Sequence, residues 1–152
     1  MLAIAVATGR IGYVLMIGDK LLDWGLSRKA SKSPKYAEAQ AKIWIDQFEP
    51  DVVITETVPK TSTKSVKTRS LIDAITSVAQ QAVLLDVQVS KIKYFKNKYE
   101  EAAHFGERFP EIALWVPRMR RLWEPEPRTT VLFEALALAC VVIDREISDA
   151  PN

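Results

Sequence analysis

Residues 2–8 open the chain with an apolar run, Leu-Ala-Ile-Ala-Val-Ala-Thr. A short apolar run bounded by turn residues predicts a buried strand. Gly9-Arg10 and Gly18-Asp19 are turn signals, and Ile11–Ile17 between them predicts a second strand. Lys20–Leu26 predicts a third, ending near Gly25. Three consecutive antiparallel strands follow from this spacing. Ser33-Pro34 then opens a helix, with proline in its first turn. Its apolar face is Tyr36, Ala37, Ala41, Trp44, Ile45 and Phe48, and Pro50 stops it.

Asp51–Thr55 predicts a short strand with Glu56 at its C-terminal end. A polar basic loop and a helix over about Val66–Ala82 come next, then a fifth strand over Val83–Val87. Residues 99–108 read as helical, up to Pro110. Residues 110–127, rich in proline, arginine and tryptophan, follow no clear period. A last helix over roughly 129–145 is apolar almost all round and predicts burial. Three strands followed by alternating helices and strands predict an α/β protein with a mixed sheet.

The length of 152 residues suits one domain, 1–152, with a real core, and 48% apolar residues mark it as globular. Net charge is only +2, but its distribution is uneven. Residues 60–69 carry Lys60, Lys64, Lys67 and Arg69; residues 91–98 carry Lys91, Lys93, Lys96 and Lys98; residues 118–121 carry Arg118, Arg120 and Arg121. None of these stretches holds an acid, so the remainder is net acidic and a polyanion partner is expected. The single cysteine, Cys140, excludes an internal disulfide and reads as a small core residue, which fits a reducing, cytoplasmic setting. The N-terminus lacks the basic leading region of a signal peptide, and no stretch is long enough to span a membrane.

Two acids sit where chemistry is expected. Metal-dependent phosphodiester cleavage needs carboxylates at strand ends and on a helix beside them. Glu56 ends an apolar strand, and its alternative reading is an acid facing solvent. Glu134 lies in Val131-Leu132-Phe133-Glu134-Ala135-Leu136, where an unpaired carboxylate is costly; its alternative reading is an acid favoured near a helix start. Asp86 ends the predicted fifth strand and could approach the site. Asp73 reads as solvated. Asp144, ten residues beyond Glu134, lies about 15 Å along the helix. His104 shares a helix surface with Glu100 and Glu101, and one lone histidine is a poor metal signature. Nucleophile, P-loop and dinucleotide motifs are absent from the sequence.

Several of these segments together resemble the RuvC-like Holliday-junction resolvases of the RNase H-like superfamily. Leu2–Val14 resembles their first hairpin. Pro50-Asp51-Val52-Val53-Ile54-Thr55-Glu56 is similar to their Pro-Asp-x-x-x-x-Glu strand, whose glutamate binds metal. Val89-Ser90-Lys91-Ile92-Lys93, with Lys98, is similar to their basic strand exit. Glu134-Ala135-Leu136-Ala137-Leu138-Ala139 resembles their final Asp-Ala-Leu-Ala-x-Ala helix. The resemblance implies a five-stranded RNase H-like mixed sheet, three antiparallel strands then parallel ones, flanked by helices. It also implies metal binding at Glu56 and Glu134, with Mg²⁺ or Mn²⁺ as cofactor, and branched DNA as partner.

The departures are equally specific. Ala5 stands where the family's first-strand aspartate is expected, and Val131 where a second helix ligand is often found. Metal binding is therefore expected to be weakened or absent and catalysis impaired or lost. Lys60, Lys64, Lys67 and Arg69, with Lys91, Lys93, Lys96 and Lys98, are the expected DNA contacts. Arg118, Arg120 and Arg121, with Trp115 and Trp123, extend that surface or pack a subunit contact. The family's twofold dimers make a homodimer possible here. The alternatives are an active nuclease with a rearranged metal site recruiting Asp86, and a non-catalytic structural or protein-interaction module.

Overall fold

The computed structural model describes residues 1–59, 62–82, 85–91 and 95–149, of which 146–149 are described in backbone only. A five-stranded sheet in the order β3-β2-β1-β4-β5 forms its centre. The strands are β1 (Leu2–Ala7), β2 (Arg10–Ile17), β3 (Lys20–Ser27), β4 (Val52–Glu56) and β5 (Leu85–Val89). The helices are α1 (Pro34–Phe48), α2 (Val66–Gln81), α3 (Lys98–Arg108) and α4 (Thr130–Asp149). β1, β2 and β3 pair antiparallel, whereas β4 runs parallel to β1, and β5 parallel to β4. This is the RNase H-like mixed sheet expected from the sequence.

β1 explains the two layers around the sheet. Successive side chains on a strand point to opposite faces. Leu2, Ile4 and Val6 join one core with residues of α1 and α2, including Trp44 and Ile75. Ala3, Ala5 and Ala7 join the other, beneath Val131, Ala135 and Leu138 of α4 and Phe105 of α3. The small side chains of β1 therefore face α4. That helix is buried through most of its described length, as its all-round apolar sequence requires.

Local chemistry sets the helix ends. Ser33 caps α1 by accepting from the Tyr36 N–H at 3.2 Å, and Pro34 follows it. The helix ends at Glu49, in the left-handed region at φ 44°, just before Pro50. Ser65 caps α2 and Asn97 caps α3.

Two boundaries and one side chain differ from expectation. β3 does not stop at Gly25 but continues to Ser27. The ring of Tyr13, opposite on β2, lies over Gly25 and supplies the contact that glycine lacks. β5 runs over Leu85–Val89, past the expected Val87, so Asp86 lies within it and is not its end; Val83 and Leu84 lie outside the described residues. Tyr36 is exposed, with the Lys29 ammonium over its ring, rather than part of the α1 core face.

Val131, where the resemblance would put a second helix ligand, is fully buried and packs over Gly12. A Cβ at Gly12 would stand 2.8 Å from Val131 Cγ1, and a β-branched side chain yields little. Gly12→Ala is accordingly expected to destabilise the fold by about 1–3 kcal/mol. Adding Val131→Ala should return part of that loss, giving a non-additive double-mutant cycle in urea denaturation.

Candidate functional site

The parallel strands β1, β4 and β5 point their carboxyl ends to one edge of the sheet, the edge where α/β proteins gather ligands. Glu56 is the last residue of β4 and pairs with Val89, so the chain leaving β5 carries Lys91 past it. α4 brings Glu134 over the same edge. Ala5, Val6, Glu56, Lys64, Lys91, Glu134 and Leu138 together line one small cleft. Its free volume is about 10 Å³, room for a single water. The strand-end glutamate, the closing-helix glutamate and the alanine therefore meet in space.

Two lysines enter that cleft as well. Lys64 Nζ lies 3.2 Å from Glu56 Oε2. Lys91 Nζ lies 3.5 Å from Glu134 Oε1 and 3.6 Å from Glu101 Oε1. Glu101 belongs to α3 and is only 5% exposed. The surface reading of Glu101 beside Glu100 and His104 is corrected here. Glu101 occupies the inward stripe of α3 with Ala102 and Phe105, and that i, i+4 placement was the signal available in the sequence. His104 instead stacks near Phe95 and Phe105.

One ammonium shared by two buried carboxylates sets the electrostatics. Burial pushes the Glu134 carboxyl above its ordinary range, and Lys91 only partly offsets this. Glu101 is raised for the same reason, and the neighbouring Glu134 charge adds to the rise. Burial alone would lower the Lys91 pKa, but Glu134, Glu101 and Glu56 outweigh it and hold the ammonium protonated. Glu134 Oε2 and Glu101 Oε1 are buried without a hydrogen-bond partner among the described residues.

This donor set does not fit a metal pair. Ala5 offers no ligand, and Val131 is sealed against Gly12. Ammonium groups already sit against Glu56 and Glu134, and an ammonium repels a cation. Among the described residues, no group of three or more His, Cys, Asp or Glu side chains is arranged to hold a metal. Asp86 does not supply the missing ligand. It pairs with Val53, three positions and about 10 Å along the sheet from the Glu56–Val89 level, and meets Thr55 Oγ1 at 3.5 Å. Asp144 is held by Arg108 at 2.7 and 3.2 Å, remote from the cleft. The Cys140 thiol is buried and pushed up to about 12, so it is inert.

The expected DNA contacts separate into three groups. Lys60 and Lys93 lie outside the described residues. Lys64 and Lys91 have carboxylate partners in the cleft, Lys98 pairs with Glu126, and Arg69 braces the loop by donating to the Ser62 carbonyl at 2.6 Å and the Lys64 carbonyl at 3.3 Å. Lys67 and Lys96 are exposed near the N-terminal ends of α2 and α3.

No protein-family profile matches the chain, and no curated protein matches it in sequence. Its likeness to solved structures extends over nearly its whole length. The fowlpox virus resolvase with substrate Holliday junction DNA aligns at TM-score 0.62 and 12% identity, covering 95% of this chain and 96% of that one. Thermus thermophilus RuvC aligns at 0.54 and 14%, covering 97% of each. The yeast mitochondrial Holliday junction resolvase aligns at 0.57 and 11%, covering 93% and 76%. The chain thus has the fold of the RuvC-like resolvases.

Lys91 is the element on which the site's stability turns. Lys91→Met leaves Glu134 and Glu101 buried without a counter-charge and is expected to cost about 3–5 kcal/mol at neutral pH. A carboxyl with a raised folded-state pKa contributes stability that is complete below its unfolded pKa and is lost as pH rises through the folded value. The Lys91→Met loss should therefore shrink in acid and grow towards pH 8. Adding Glu101→Gln and Glu134→Gln should flatten the profile, as urea denaturation at pH 5 and pH 8 will show.

Proposed function

We propose that this chain binds branched DNA on a RuvC-like scaffold and has given up two-metal hydrolysis. The observation that carries this reading is the cleft itself. At the strand edge where such chemistry would sit, the carboxylates face lysine ammoniums and the first-strand position is alanine. A lysine has three donors and no acceptor, so it cannot be a ligand of Mg²⁺. It does attract phosphate.

Support for DNA as the partner comes from the surroundings of the cleft. Lys64 lines it and the Lys98 charge acts on Glu134, while Lys67 and Lys96 are exposed near the starts of α2 and α3. Solved proteins of the same fold include the fowlpox resolvase and Thermus RuvC, both seen with Holliday junction substrate. A phosphate oxygen at the mouth of the cleft would share the part-exposed Lys64 ammonium with Glu56, while Lys91 stays with Glu134 and Glu101.

The test is a four-way junction titrated with protein over a range of salt. Affinity should fall steeply as salt rises, with a log–log slope of about −0.9 per phosphate contacted. Binding should persist in EDTA, without any divalent ion, and no strand should be cut in Mg²⁺ or Mn²⁺. Cleavage that Glu56→Gln abolishes would establish the opposite reading, an active nuclease with a rearranged metal site. Affinity indifferent to salt would remove DNA from the account.

A further inference from the structure

We propose that the arginine-lined groove between the β1–β2 turn and residues 118–128 is a second phosphate site, which grips the DNA backbone beside the cleft. This inference rests on the DNA-binding reading above. The groove is about 350 Å³ and is lined by Arg10, Arg118, Arg120 and Arg128, with Glu124 and Glu126. Segments more than a hundred residues apart in sequence converge here, joined by a hydrogen bond from an Arg10 guanidinium nitrogen to the Glu126 carbonyl at 3.2 Å.

Charge in this groove is incompletely matched. The Glu126 carboxylate is engaged by Lys98 and accepts from the Thr130 hydroxyl at 3.3 Å. Glu124 is shared by Arg118 at 3.2 Å and Arg121 at 3.8 Å, and its carbonyl accepts from Arg120. Arg128 is exposed and makes no hydrogen bond or ion pair among the described residues. Arg10 Nε is buried with no acceptor among the described residues. Burial, and after it the neighbouring Arg28 and Arg128 charges, push the Arg10 pKa down, with Glu126 acting against them.

Position and chemistry point to a nucleic-acid phosphate. Arg10 pairs with Ala7 as Gly12 pairs with Ala5, so Arg10 rises from the same sheet face as Ala5, about 7 Å nearer the strand's carboxyl end. Lys98, paired with Glu126, links the groove to the cleft lysines and contributes to the field at Glu134. The planar fork of arginine matches phosphate oxygens in pairs. Trp123 is exposed next to the groove with the Arg121 guanidinium 5.6 Å from its ring, a surface suited to an unstacked base.

The test is fluorescence anisotropy with a labelled four-way junction, comparing the parent chain with Arg10→Gln, Arg128→Ala, Arg120→Ala and Lys42→Ala. Lys42 is an exposed control on α1, on the opposite side of the sheet. Each groove substitution should weaken binding roughly three- to tenfold and reduce the log–log salt slope by about 0.9, while Lys42→Ala changes neither. Arg120→Ala and Arg128→Ala alter exposed side chains, so they carry the test even if Arg10→Gln fails to fold. Unchanged affinity and slope in these variants, with the parent binding DNA, overturns the groove proposal alone. A parent that does not bind DNA overturns the functional reading and this inference with it. Thermal stabilisation by inorganic phosphate, lost in Arg10→Gln while DNA affinity stays at the parent value, would show a free-anion site and also overturn the proposal.

Discussion

The ammonium of Lys91, held between Glu134 of α4 and Glu101 of α3, is the contact on which the active edge depends. It stands where the sheet's parallel strands end and two helices converge. Removing either partner from such an arrangement leaves a charge in a poorly solvated place, a far larger loss than the small net gain of making the pair. The triad thus fixes how α3 and α4 sit relative to β5. It also places in the cleft a cation that the chain itself supplies.

Much of the fold was legible because burial leaves a pattern in sequence. The apolar opening run, the two glycine turns, the Ser33-Pro34 helix start and the apolar closing helix all appear close to where their residues imply. Boundaries failed where a distant side chain intervenes. Gly25 reads as a stop, but the Tyr13 ring covers it, and no local rule contains that cross-strand contact. Asp86 reads as a strand end because the apolar residues before it suggest an earlier start. Pairing of Val89 with Glu56 carries the strand three residues further.

The site was legible in its carboxylates and opaque in its cations. Glu56 and Glu134 stand out as acids bordered by apolar residues, and they do share one cleft with Ala5. Lys64 and Lys91 sit in basic runs and read as surface contacts, since nothing in a one-dimensional run shows which lysine turns inward. Glu101 was hidden by its neighbour Glu100, which makes the helix start look uniformly solvated. Only the stripe through Phe105 separates the two. Arg10 likewise reads as a turn residue until the distant 118–128 segment folds back over it.

The packing of Val131 onto Gly12 has a consequence for how this scaffold can change. An acid at position 131 would be driven, desolvated, into a space shaped for a methyl pair. A carboxylate at position 5 would meet two resident ammoniums before it met any ion. An acid there would be drawn to Lys64 and Lys91, which would neutralise it as they already do Glu56 and Glu134. The chain's own cations are thus fixed counter-ions, and any carboxylate added to this edge would be matched by them first.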